Sequence, residues 1–164
     1  MKELDKFIGR ITAGFSVLAQ IALAAVMFLI VGNIILRRFA APIPGTVELV
    51  EISGAIILGA GIAYCLYSGG HIFVDVLVQR LSLKTQALTD FLTNLMMFVL
   101  NIILSWQIFV YGIRMSDRGF VTGQLGFPIA PAVYIVGIGF VLMVLVNLTH
   151  IFNSGKILIK GADK

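Results

Sequence analysis

The sequence is poor in the residues that chemistry in water depends on. Among 164 residues it has a single cysteine, Cys65, so it can form neither an intrachain disulfide nor a Cys-x-x-Cys site. It has two histidines, and charged residues make up 12% of the chain. Phosphate-binding loops, nucleophile elbows, zinc-protease helices and dinucleotide-binding glycine motifs are all absent. These absences argue against an enzyme, and we expect no catalytic residue, no cofactor and no resident metal.

Apolar residues, by contrast, are abundant. They make up 59% of the chain and give a mean hydropathy of +1.03, whereas a soluble domain has about 45–50% apolar residues. The net charge is +4, but the basic residues stand in short clusters between long apolar runs. This pattern is typical of membrane-protein loops and not of a nucleic-acid-binding patch. The sequence therefore predicts a protein in contact with membrane lipids, with no nucleic-acid partner.

Four segments are long and apolar enough to cross a hydrocarbon core about 30 Å thick, which takes about 20 residues in a helix. They are predicted over about 11–36, 47–67, 86–114 and 130–153. Arg37 and Arg38 end the first one like a stop-transfer signal, so we interpret it as a retained anchor and not as a signal peptide. The predicted fold is an all-α integral membrane protein with a single membrane domain over 1–164.

A fifth, shorter segment over about 71–83 is predicted to be an amphipathic helix lying in the membrane interface. Its apolar residues recur at helical spacing, and the opposite stripe is formed by His71, Asp75, Gln79 and Ser82. Arg80 suits the cytoplasmic headgroup layer. His71 and Asp75 are close enough on a helix to hydrogen-bond, but two ligands do not make a metal site.

The distribution of basic residues predicts the orientation. The two tails and the 68–90 segment together hold eight Lys and Arg residues, and the other two loops hold four. The positive-inside rule therefore places both termini in the cytoplasm. The loops over 37–46 and 114–130 then lie on the outer, periplasmic side.

Charged residues near these outer loops are the first group of candidate functional residues. They are Arg37, Arg38, Glu48, Arg114, Asp117 and Arg118. Charges next to membrane-spanning segments are costly to leave unpaired, so we expect either ion-paired clusters within the chain or contacts with a partner subunit.

Thr46 is predicted to be the N-cap of the second helix. The glycines and prolines of the 114–130 loop exclude a helix in its second part. The apolar residues of this loop are expected either to dock a partner or to pack on the bundle.

Small residues on the second helix are the second group. Ala55, Gly59 and Ala63 are four residues apart, and Glu51 lies one turn before them. Such a face lets another helix approach closely. The sequence leaves open whether that helix belongs to this chain or to another polypeptide. The neutral amides within the spans, such as Gln20, are expected to hydrogen-bond between helices.

Several local motifs, in order, resemble one known family. Arg37-Arg38-Phe39 precedes a proline-containing turn, Gly45-Thr46-Val47-Glu48-Leu49 opens the second helix, and Gly70-His71-Ile72-Phe73-Val74-Asp75 follows it. Pro128 and Pro131 precede the fourth helix. Together with four spans at this length, these motifs resemble the small membrane subunit, the DctQ-like component, of tripartite ATP-independent periplasmic (TRAP) transporters.

The resemblance implies a function in a three-part transporter of the bacterial inner membrane. Its large membrane subunit would carry the substrate and sodium sites and move as an elevator, and a soluble periplasmic binding protein would deliver organic anions such as C4-dicarboxylates or sialic acids. The small subunit would be part of the fixed scaffold. On this view, the face with Glu51, Ala55, Gly59 and Ala63 contacts the large subunit, and the outer charges contact either partner.

Two other functions are compatible with the pattern. A self-contained four-helix transporter acting as a homodimer would place a glutamate within a span, but Glu48 and Glu51 lie near the start of the second helix. The other alternative is a membrane anchor subunit of a different complex, such as a redox assembly. His71 and His150 lie near span ends, which argues against paired haem ligands inside the bundle.

Overall fold

The computed structural model describes residues 2–69 and 83–160 and has four long helices. They are α1 (Lys2–Phe39), α2 (Thr46–Tyr67), α3 (Leu83–Asp117) and α4 (Ala130–Lys160). Each contains a stretch long and apolar enough to span a membrane. The predicted all-helical, four-span fold is therefore confirmed for the described part of the chain. The predicted interfacial helix lies outside the described residues, except for Leu83, which begins α3.

The helices extend beyond the predicted apolar spans at several ends. α1 begins at Lys2, well before residue 11, and continues to Phe39. Acidic residues occupy its first turn, and Arg37 and Arg38 occupy its last turn. Acidic residues at the start and basic residues at the end of a helix are both favourable to its dipole, which stabilises the turns beyond the apolar span.

α4 is the central helix of the bundle. It packs against α3 on one side and α2 on another, while α1 packs mainly on α2. Of the most apolar stretch of α4, 39% of the residues are buried inside the chain, against 11% for α1. α2 and α3 scarcely contact each other, so an opening remains between them above α4.

The main apolar core lies where the second half of α4 meets the end of α2 and the start of α1. Its buried members are Ile8, Ala63, Leu66, Leu142, Met143 and Val146. Burial of this kind depends on close packing, because lipid gives no hydrophobic drive for helix association. The core therefore holds α1, α2 and α4 together at one end of the bundle. The opposite end carries the 40–45 and 118–129 loops, and we call it the loop end.

Gly59 lies where α2 and α4 pack closely together. A Cβ atom at this position would lie 2.6 Å from the Cα of Val136, and a Cβ at Gly139 would overlap the carbonyl oxygen of Gly59. Ala63, one turn further along, is fully buried. Packing within the chain, one of the two alternatives that the sequence left open, is thus what the structure has for Gly59 and Ala63.

The amides within the helices do not link one helix to another among the described residues. Gln20 bonds to Ser16 within α1, and Asn33 accepts a bond from the backbone of Ile43 in the adjacent loop at 2.8 Å. Asn147 is fully buried, and no described residue hydrogen-bonds to its amide. The expectation of interhelical hydrogen bonds is therefore wrong for Gln20 and Asn33, because a side chain one turn away or the adjacent loop supplies a nearer partner.

Candidate functional site

Glu48 is the centre of a hydrogen-bonded cluster at the loop end. One of its carboxylate oxygens accepts the backbone N–H of Gln124 at 2.6 Å, and the other accepts that of Leu125 at 3.0 Å. Thr122 of the same loop lies close to Glu48. A carboxylate is a strong acceptor for such groups. The start of α2 is therefore joined to the loop between α3 and α4.

A reciprocal bond runs from the start of α2 back to that loop. The side-chain oxygen of Gln124 accepts the backbone N–H of Gly45 at 2.7 Å. Gly45 has φ 69°, a left-handed conformation that favours glycine, and a Cβ there would overlap Leu125. We call Gly45, Glu48, Thr122, Gln124 and Leu125 the Glu48 clasp.

The N-cap prediction for Thr46 is wrong. Gly45 occupies the N-cap position, and Thr46 is the first residue of α2. The hydroxyl of Thr46 instead donates to the carbonyl of Ile43 at 2.7 Å. The left-handed turn at Gly45 directs its N–H to Gln124, so the clasp and not a threonine cap sets the start of the helix.

The 118–129 loop is not helical, as predicted, but it is a compact turn. Val121 pairs with Pro128 in an isolated antiparallel bridge. Inside this pair, the N–H of Thr122 donates to Phe127 at 2.9 Å, and the N–H of Phe127 donates to the Thr122 hydroxyl at 3.0 Å. The turn presents the N–H groups of Gln124 and Leu125 to Glu48.

A groove of about 520 Å³ opens beside the clasp, between α2 and α3. α4 forms its floor, and its polar groups collect toward the loop end. Its lining residues are Glu48, Glu51, Ile52, Ala55, Leu104, Gln107, Ile108, Tyr111, Thr122, Ile129, Ala132, Val133 and Val136. The groove therefore offers a mostly apolar surface with two carboxylates near one end.

Glu51 and Ala55 of the predicted small-residue face line this groove. Glu51 is exposed, and no described residue lies within hydrogen-bonding or ion-pairing distance of its carboxylate. Ala55 is half-buried in the groove wall. The predicted face is thus divided: Glu51 and Ala55 are accessible from outside, while Gly59 and Ala63 contact α4. Contact with a partner subunit stays a prediction for the accessible pair.

The remaining outer charges are exposed and unpaired within the described ranges. These residues are Arg37, Arg38, Arg114, Asp117 and Arg118. The ion pair found in those ranges joins Lys6 to Glu3 at 3.4 Å. The expectation that these residues form ion-paired clusters within the chain is therefore wrong for the described ranges. Backbone N–H groups already occupy the Glu48 oxygens, and exposed pairs at helix ends gain at most about 1 kcal/mol.

Arg37 lines a second depression at the loop end, of about 690 Å³. It shares this depression with Asn33, Pro42, Gly45 and Gln124.

His71, Asp75 and Arg80 lie outside the described residues. Within the described residues, no group of three His, Cys, Asp or Glu side chains is close enough to hold a metal ion.

Thr122 and Gln124 are the residues that the sequence reasoning missed. They stand in the uncharged, glycine-containing stretch that follows Arg118, 74 to 76 positions beyond Glu48. The sequence offers only a weak indication of this pairing. The turn has backbone N–H groups available as donors, and Glu48 has no basic residue in α2 with which to pair. A sequence pattern of this kind does not identify the pairing.

Comparison with known proteins assigns the chain to a family. Residues 10–155 match the family model described as tripartite ATP-independent periplasmic transporters, DctQ component. No match was found among curated proteins or among solved structures. The family is a transporter component and not an enzyme family. Because the match covers all four spans, the clasp and the groove, the chain belongs to the DctQ family, the small membrane subunits of TRAP transporters.

Proposed function

We propose that the chain is a fixed scaffold for the large membrane subunit of its transporter. The observation that supports this proposal is the fastening of α2 at two levels. The Glu48 clasp joins its start to the α3–α4 loop, and the Gly59 contact joins its middle to α4. A bundle held in this way suits a static element, against which a mobile neighbour slides.

The distribution of charge supports the same role. The sequence has no Asp, Glu, Lys or Arg over 11–36, 52–67, 91–113 or 130–152. Ionisable residues inside a membrane commonly mark substrate and ion pathways. We therefore place the substrate and sodium sites in the large subunit, with a sodium gradient driving uptake of an organic anion of the C4-dicarboxylate or sialic acid type. The chain itself uses no cofactor on this account.

The orientation completes the proposal. Both termini lie in the cytoplasm and the loop end faces the periplasm of a bacterial inner membrane, as the basic residues predict. Segment 71–83 lies outside the described residues, and its sequence pattern is the basis for proposing that it forms an amphipathic helix at the cytoplasmic lipid surface. The exposed Arg37 and Arg38 then lie where a periplasmic binding protein docks.

Affinity purification from native membranes tests the role as a subunit. A tagged copy of the chain, solubilised in mild detergent, is expected to bring down one large polytopic membrane protein, identified by mass spectrometry. A stable complex of two copies of the chain with no larger protein would contradict the proposal. That result would favour the self-contained homodimeric transporter instead.

A further inference from the structure

We propose that the groove between α2 and α3 receives a transmembrane helix of the large membrane subunit, and that Glu51 pairs there with a basic side chain of that helix. This inference rests on the proposed function and names the face that the partner uses. The groove lies in the span region of both helices, is mostly apolar and is not covered by another described helix of the chain.

Glu51 identifies the charge of the occupant. Its carboxylate is exposed in the groove wall without a partner among the described residues, whereas the Glu48 oxygens accept two backbone N–H bonds. None of the described lining residues is basic. A carboxylate in a membrane-spanning helix is costly to leave unpaired, so a cation is expected opposite Glu51.

Small residues near Glu51 indicate that the occupant is a helix. The chain's own packing accounts for Gly59, where a Cβ would lie 2.6 Å from the Cα of Val136, whereas Ala55 is only half-buried in the groove wall. Ala55 and Ala132 line the groove close by. Small residues let two helix backbones approach, which is how helices associate in lipid.

This chain is a poor source of that helix. A second copy would have to insert a span carrying Lys or Arg, and its own basic residues stand outside 11–36, 52–67, 91–113 and 130–152. A phospholipid would fill the apolar part of the groove but has no need of small residues along one wall. The charge and the small residues together favour a different polypeptide.

Two groove variants test the inference on the tagged chain purified with its partner. Ala55→Trp fills the groove, and Glu51→Lys reverses its charge. We expect each variant to lower the ratio of large subunit to tagged chain by about tenfold or more. The new tryptophan would take the space of the incoming helix, and the new lysine would repel its basic side chain. Leu58→Trp, at an exposed α2 position that does not line the groove, and Glu3→Lys, at the far end of α1, are matched controls expected to leave the ratio unchanged.

Crosslinking gives a readout that does not depend on variant stability. In a Cys65→Ser background, Ala55→Cys carrying a photoreactive maleimide is expected to crosslink to the large subunit in native membranes. Unchanged co-purification of Ala55→Trp and Glu51→Lys would overturn the inference, as would crosslinks from Ala55→Cys to lipid or to a second copy only. In both cases the wild-type chain would still retain the large subunit, so the proposed function would stand. Failure of the wild-type chain to retain it would overturn both.

Discussion

Glu48 and Glu51 are three residues apart in α2, yet the structure gives them different partners. Glu48 faces the 118–129 loop and accepts two of its backbone N–H groups, at 2.6 Å and 3.0 Å. Glu51 faces the groove and has no partner among the described residues. The same residue type therefore has a structural role at one position and an accessible charge at the other. This pair allows matched tests in one helix.

Removing the Glu48 carboxylate is expected to loosen the loop. In Glu48→Ala, the N–H groups of Gln124 and Leu125 lose their acceptors, so their amide hydrogens should exchange at least about tenfold faster, as in local opening. Hydrogen–deuterium exchange over 121–127 measures this directly. Glu51→Ala is the control and should leave exchange in this segment unchanged.

Equal exchange in the Glu48→Ala and wild-type proteins would contradict the clasp. It would mean that the pairing of Val121 with Pro128 holds the turn without help from α2. Faster exchange in both glutamate variants would instead assign the effect to loss of charge and not to loss of hydrogen bonds.

Gly59 and Gly54 provide a second matched pair in α2. Gly59→Ala forces apart α2 and α4 because the new methyl group would lie 2.6 Å from the Cα of Val136. We expect a loss of about 1–3 kcal/mol, the usual cost of overpacking. Gly54→Ala meets no atom within 4 Å and is expected to keep or raise stability by up to about 1 kcal/mol, the helix-propensity gain.

Thermal unfolding in detergent, followed by circular dichroism, compares these two variants. A lower midpoint for Gly59→Ala alone is the expected result. Similar midpoints for both variants would show that α2 and α4 are not in close contact at Gly59.

At the scale of elements, the spans were predictable and the connections were not. Apolar runs of about 20 residues fix the four helices because membrane-spanning segments must satisfy their backbone hydrogen bonds internally. Local preference predicts a Thr46 cap at the start of α2, because Ser and Thr are favoured at that position. The actual start depends on Gln124, 79 positions from its bonding partner Gly45. Local patterns carry no information on such a distant contact.

The predicted interfacial helix over 71–83 is open to a direct labelling test. In a Cys65→Ser background, single cysteines at His71 and Asp75 should react with a membrane-impermeant maleimide applied to inside-out vesicles. Cysteines at Phe73 and Val76, on the apolar stripe, should be protected by lipid. Equal labelling at all four positions would contradict an amphipathic helix in the interface, and labelling in right-side-out vesicles only would reverse the orientation.

At the scale of the whole molecule, the small-residue face shows where sequence reasoning stops. Packing within the chain and packing against a partner leave the same pattern of Ala and Gly, so Ala55, Gly59 and Ala63 could not be separated beforehand. The fold separates them because Gly59 packs on α4 and Ala63 is buried in the core, whereas Ala55 lies in the groove wall. The family was predictable from several weak motifs in order, and the match over 10–155 confirms it.

The central claim is that this bundle supports transport without moving solute by its own groups. Proteoliposomes give the most direct test, with an inward sodium gradient and the binding protein loaded with a labelled solute that it binds. The account predicts accumulation when both membrane subunits are present, and none when the liposomes hold only this chain. Solute accumulation by this chain alone would contradict the account.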